Sequence, residues 1–171
     1  MGRRLAERSI RLVYGGGNVG LMGVLADAAL AAGTEVIGVI PDFLMAKEVG
    51  HSALTEMYVV KSMHERKQMM ADLSDAFIAM PGGIGTLEEL FEIFTWGQLG
   101  LHQKPLGLLN IAAYYDPLVQ FLDQMVVEKF VRQENRDMLF IDEQADRLLT
   151  DMQQYHPPKI EKWLILPGSV G

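Results

Sequence analysis

Short apolar runs alternate along the chain with stretches in which apolar residues return every three or four positions. Runs of the first kind read as strands and stretches of the second as helices. Ile10–Tyr14 (IRLVY) predicts a strand and leads into the glycine loop GGGNVG. Leu21–Ala32 predicts a helix that stops at Gly33. Glu35–Ile40 (EVIGVI) predicts a second strand, stopped by Pro41, and Met57–Lys61 a short third. Met63–Leu73 has helical spacing, with Met63, Met70 and Leu73 along its apolar side. Asp75–Met80 (DAFIAM) reads as a buried strand, Pro81–Thr86 as a loop and Leu87–Leu99 as a helix. Leu106–Asn110 is a strand after Lys104-Pro105, and Pro117–Phe130 a helix with proline in its first turn. Met138–Ile141 and Glu143–Tyr155 close the pattern as a last strand and helix.

Strands alternating with helices predict an α/β fold, a parallel sheet with helices on both faces. The strands are nearly continuous apolar runs, as strands covered on both sides should be. The pattern predicts one domain over residues 1–156, and a tail at 157–171 with no evident packing partner. In such sheets ligands bind beyond the carboxyl ends of the strands. Three segments fall there: Gly15–Gly20, Pro41–His51 and Pro81–Glu89.

Composition narrows the chemistry. The chain has 171 residues, a length that suits one packed core. It has no cysteine, which excludes disulfides, thiolate metal sites and cysteine nucleophiles and is compatible with a reducing cytoplasm. A net charge of −7 argues against a general nucleic-acid binder. Arg3, Arg4, Arg8 and Arg11 read as a solvated basic helix face. No apolar run reaches the ~18 residues of a membrane span. The basic N-terminus lacks the apolar stretch of a secretory signal, so a cytoplasmic location is expected. The four histidines, His51, His64, His102 and His156, show no metal spacing, and neither a metal nor an organic cofactor is expected.

Two glycine loops are the candidate binding elements. Gly15-Gly16-Gly17-Asn18-Val19-Gly20 satisfies G-x-G-x-x-G between a strand and a helix. Glycines admit close approach of a phosphate, and the helix start offers N–H groups to it. A tight structural turn collects glycines as well, and a dinucleotide site would want an acidic residue ~20 positions on, where Asp42 could serve. Pro81-Gly82-Gly83-Ile84-Gly85-Thr86-Leu87-Glu88-Glu89 is more specific, with three glycines in four residues before a helix. Thr86 is placed to cap that helix. Thr86-x-x-Glu89 then reads as a capping box, while Glu89 is equally suited to stabilise a cation or act as a base. Arg66 and Lys67 suit phosphate or carboxylate binding, or a solvated basic turn. On the helix after the second loop, Leu87, Leu90, Phe91 and Phe94 form the expected buried stripe, with Glu88, Glu92 and Thr95 opposite. Apolar residues on more than one side of the 117–130 helix suit core burial or a subunit contact.

These motifs resemble those of the LOG ("Lonely Guy") phosphoribohydrolases, a family long labelled lysine decarboxylases. The resemblance runs from about Leu5 to about Tyr155. It rests on VYGGGNVGLMG (13–23), MHERK (63–67), PGGIGTLEEL (81–90) and the supporting stretch WGQLGLHQKPLGLLN (96–110). It implies a Rossmann-like fold, a homodimer, no cofactor, and hydrolysis of N6-modified adenosine 5′-monophosphates to free base and ribose 5-phosphate. It implies catalytic roles for Arg66 and Glu89. It further implies substrate contacts by Glu48, Lys67, Thr95 and the loop Gly82, Gly83, Ile84, Gly85, Thr86, Leu87 and Glu88; Gly16 and Gly17 of the first loop join them as binding candidates. Such proteins begin with one further strand and a loop resembling C-G-S-S, ahead of the helix matched by Gly2–Arg8, so this sheet is expected to lack that strand. Two rival readings stand beside it. A non-catalytic nucleotide-binding or carrier module would use the same loops. An NAD(P)-binding oxidoreductase would use Gly15–Gly20 alone and leave the second loop unexplained.

Overall fold

A computed structural model of the chain describes residues 1–48 and 50–157, the side chains of Ala46 and Glu48 excepted. The expected tail from residue 158 on, and the Glu48 side chain, lie outside the described residues. Contacts divide the chain into two compact units, Met1–Asp75 and Ala76–Gly171.

The first unit contains α1 (Gly2–Glu7), β1 (Leu12–Tyr14), α2 (Gly20–Ala31), β2 (Val36–Pro41), α3 (Asp42–Glu48), β3 (Glu56–Val60) and α4 (Met63–Leu73). Its strands are parallel in the order β1-β2-β3, with Tyr14 opposite Gly38 and Pro41 opposite Val60. All six residues of the central strand β2 are buried, which is why it reads as an unbroken apolar run. α2 and α4 both pack against β1 and β2. Tyr14, Ala26, Ala29 and Val36 form one cluster of the core.

The second unit contains β4 (Phe77–Ala79), α5 (Ile84–Gln98), β5 (Leu106–Leu109), a 3₁₀ turn (Ile111–Ala113), α6 (Asp116–Val127), α7 (Gln133–Arg136), β6 (Leu139–Asp142) and α8 (Ala145–Gln153). Its strands are parallel in the order β4-β5-β6, and the central β5 is again fully buried. α8 packs on β5 and β6 through Leu148, Leu149 and Met152.

The parallel α/β architecture is as the periodicity predicts, organised as two three-stranded ladders. Local differences have identifiable causes. The segment after β2, to which the periodicity assigns no element, forms α3; its first residue, Asp42, accepts the Phe43 N–H at Oδ1, at 2.6 Å. α5 begins at Ile84, three residues before the expected start, because Gly83 is already extended (φ −93°, ψ −157°) and serves as the cap residue. Thr86 is therefore the third residue of the helix, and the expected Thr86–Glu89 capping box does not form. A related device occurs at α4: Ser62 Oγ accepts the Glu65 N–H at 3.1 Å, and Glu65 Oε2 accepts the Lys61 N–H at 2.9 Å. β4 is half-buried rather than fully buried.

Candidate functional site

Arg66 lies on α4, whose pattern would place an arginine in solvent. It is instead 9% exposed. Its Nε donates to the Val39 carbonyl of β2 at 3.1 Å, and its backbone N–H to Ser62 O at 3.0 Å. Burying a guanidinium is costly unless its donors are engaged, so this placement is held by specific partners. One wall is Gly15, the residue after β1: a Cβ there would collide with Arg66 Nη2 and stand 3.0 Å from Cζ. The first glycine of the G-x-G-x-x-G loop is thus needed for the arginine rather than for a turn. Lys67, next in sequence, is half-buried and His64 is exposed.

The rest of that loop is anchored by the segment before β3. Gly16 has φ +75°, a conformation side chains resist, and its carbonyl accepts the His51 N–H at 3.1 Å. Gly17 pairs with Gly50 as an isolated antiparallel bridge. The buried His51 ring lies 2.9 Å from Asp27 Oδ1 on α2 through Nε2, while its Nδ1 accepts the Ala53 N–H at 3.3 Å. With Nδ1 accepting, the neutral ring carries its proton on Nε2 and donates it to the carboxylate. Burial, and the nearby Asp27 charge after it, push the Tyr14 hydroxyl up to about 12. Asp42, a candidate ribose ligand under the dinucleotide reading, is the first residue of α3, and its Oδ1 accepts the Phe43 N–H.

In the second unit, β4 delivers the chain into Pro81-Gly82-Gly83, and α5 starts at once. No side chain caps α5. Its first internal hydrogen bond from this end is Leu87 N–H to Gly83 O, at 3.2 Å. Among the described residues the N–H groups of Gly83, Ile84, Gly85 and Thr86 take no partner. Four free donors at the positive end of a 15-residue helix form a cradle suited to an anion. Gly83, Ile84 and Gly85 are exposed, and the Thr86 side chain packs against Gly82. Glu88 is exposed and Glu89 half-buried. Thr95 is exposed, with its hydroxyl donating to Phe91 O at 2.7 Å. The buried stripe of α5 is Leu90, Ile93, Phe94 and Gly97; Leu87 and Phe91 are half-buried at its edge.

Sequence reasoning missed Tyr114 and Tyr115. Tyr114 Oη donates to Gly82 O and Tyr115 Oη to Met80 O, each at 2.6 Å. Both side chains leave a turn after β5 in which Ala112 (φ +52°) and Ala113 (φ +59°) are left-handed. Asn110 braces that turn, its Oδ1 accepting the Tyr115 N–H at 2.6 Å and its Nδ2 donating to Asp116 at 2.7 Å. The available signal was an Asn and a Tyr-Tyr pair just past the carboxyl end of a strand.

Comparison with known proteins adds the family. Residues 22–152 match the family model described as possible lysine decarboxylase. The chain is 50% identical over 155 residues to a probable cytokinin riboside 5′-monophosphate phosphoribohydrolase of Oryza sativa subsp. japonica, covering 91% of this chain and 70% of that protein. It is 48% identical over 157 residues to the cytokinin riboside 5′-monophosphate phosphoribohydrolase LOG of the same species, covering 92% and 65%. To the Rhodococcoides fascians enzyme of that name it is 52% identical over 142 residues, covering 82% and 72%. The match to the second of these spans less than two thirds of that relative's length. Among solved structures, a molybdenum cofactor binding protein from Rippkaea orientalis superposes with a TM-score of 0.64 at 22% identity, covering 90% of this chain and 82% of that one. The molybdenum cofactor carrier protein of Chlamydomonas reinhardtii superposes with 0.65 at 20%, covering 90% and 81%. Those two likenesses establish the fold. The family-model match and the level of identity place this chain in the LOG family, described also as possible lysine decarboxylases.

Proposed function

We propose that the chain hydrolyses the N-glycosidic bond of adenosine 5′-monophosphates, with N6-modified bases as preferred substrates. Water adds to C1′ as the C1′–N9 bond breaks, yielding free base and ribose 5-phosphate. The observation that carries this is the α5 start: an uncapped, glycine-flanked row of N–H groups, three residues ahead of Glu89. The names of relatives about half identical in sequence point to the same reaction.

In this reading the donors of Gly83, Ile84, Gly85 and Thr86 hold the 5′-phosphate and so orient the ribose. Gly82, Leu87 and Glu88 shape the loop around it. Glu89, ionised, stabilises the positive charge that builds at the anomeric carbon and orients the attacking water. Arg66, whose Nε donates to Val39 O, is assigned to anchoring the substrate or assisting departure of the base. Lys67, Glu48, Thr95, Gly16 and Gly17 complete the proposed contacts. No cofactor enters the reaction as written.

We also propose a homodimer, because α6 leaves Phe121 58%, Val127 71% and nearby Phe130 85% exposed. Singly exposed apolar residues are ordinary, but several around one helix suit a partner surface. A cytoplasmic location accords with the absence of cysteine.

Incubation with AMP and chromatography for adenine tests the activity. Glu89→Gln should lower turnover about 10²–10⁴-fold while largely preserving nucleotide binding. Undiminished turnover in that variant would remove Glu89 from the mechanism. Intact AMP across a panel of 5′-monophosphates would favour a binding module instead.

A further inference from the structure

We infer that Tyr114 is a positioning residue: its hydroxyl orients the Gly82–Gly83 peptide so that the Gly83 N–H faces the phosphate. The inference rests on the proposed function of the second glycine loop and names a group that sets its affinity.

The argument begins with strain. Left-handed backbone is unfavourable for a non-glycine residue. Here two alanines in succession, Ala112 and Ala113, adopt it. Such strain persists only where surrounding contacts over-determine it, and the contacts that follow are the two tyrosines. Tyr115 is 2% exposed, so its hydrogen bond to Met80 O accompanies core packing. Tyr114 is 54% exposed and buries little, so packing does not account for its place. What holds it is the 2.6 Å bond from its hydroxyl to Gly82 O and an edge-on ring contact with Tyr115, 5.0 Å between centroids.

Gly82 is the place where such a bond matters. A flexible Gly-Gly peptide can flip with little steric resistance. No cis peptide bond occurs among the described residues, and in a planar trans peptide the C=O and the next N–H point in opposite directions. Fixing the Gly82 carbonyl on the Tyr114 hydroxyl therefore turns the Gly83 N–H away from Tyr114. That N–H has no partner among the described residues and directly precedes the free donors of α5. A donor oriented in advance spares the cost of ordering the loop when the anion arrives.

Tyr114→Phe keeps the ring and removes the bond. Binding of ribose 5-phosphate, measured by calorimetry, should weaken about three- to tenfold, as loss of one oriented hydrogen bond predicts. Adenine, which has no phosphate, should bind both proteins alike. With AMP as substrate, KM should rise by a similar factor while kcat changes little. Thermal melting of both proteins checks that the fold is retained. Equal ribose 5-phosphate affinity in wild type and Tyr114→Phe overturns the inference, as does an equal loss for adenine. Because this readout is binding, it stands apart from the activity: a wild type that binds ribose 5-phosphate but leaves AMP intact refutes the hydrolase and leaves the role of Tyr114 to the calorimetry.

Discussion

Gly15 shows how a single position can serve a distant one. Its missing side chain is the space that the Arg66 guanidinium occupies. Gly15→Ala should destabilise the protein by about 1–3 kcal/mol, the usual consequence of overpacking a filled site. If Arg66 works as proposed, turnover should fall further than the melting temperature implies, since relief of the clash requires the arginine to move. A variant that melts lower but turns over normally would separate the arginine's packing from its chemistry. Ala113→Gly tests the strained turn in the opposite sense. Glycine adopts φ +59° without penalty, so removing the Cβ should raise stability by about 1 kcal/mol in chemical denaturation.

Secondary structure elements owe their limits to local chemistry of differing legibility. α4 starts at a Ser62-x-x-Glu65 sequence, and the serine caps it. Ser62→Ala should cost about 1 kcal/mol. α5 has no such signal. Its start follows from Gly83 adopting an extended conformation, which a glycine-rich stretch permits at several positions. The same indifference displaced the expected boundary by three residues and removed the expected cap from Thr86. The consequence for function is direct, because a helix capped at Thr86 would have offered its first free N–H groups further along the chain, not at Gly83–Thr86 where the phosphate is proposed to sit. α8 was easier to read: Leu148, Leu149 and Met152 recur at helical spacing and are buried on β5 and β6. Leu148→Ala should cost about 2–5 kcal/mol, read from the urea midpoint.

Over the whole chain, the tyrosines make stability depend on alkaline pH. In the folded state the Tyr14 hydroxyl titrates at about 12, against 10 for an unburied tyrosine. The raised value means the neutral form is favoured by folding. Its contribution is complete below pH 10 and declines as pH rises towards 12. Tyr115 and Tyr155, also raised by burial, add in the same sense. Denaturation midpoints should therefore fall between pH 10 and 12, and less steeply in Tyr14→Phe. A flat profile across that window would contradict the burial of Tyr14. Light scattering settles whether the exposed apolar residues of α6 meet a second copy: a mass of one chain, 19.1 kDa, would refute the homodimer.

Periodicity was enough to predict an α/β fold with parallel strands, and the two glycine-loop motifs carried the resemblance to the family, because apolar spacing and loop motifs are local properties of the chain. Arg66 and Glu89 were visible as candidates on the same basis. Which arginine donor is engaged, which glycine makes room for it, and which tyrosines hold the second loop depend on residues 24 to 51 positions apart in sequence or separated by a strand and a turn. Val39 O meets Arg66, Gly15 backs it, His51 ties to Asp27, and Tyr114 reaches Gly82. No periodic pattern records such pairs, because they form only when folding brings strand ends and loops together and leaves each buried polar group to find a partner.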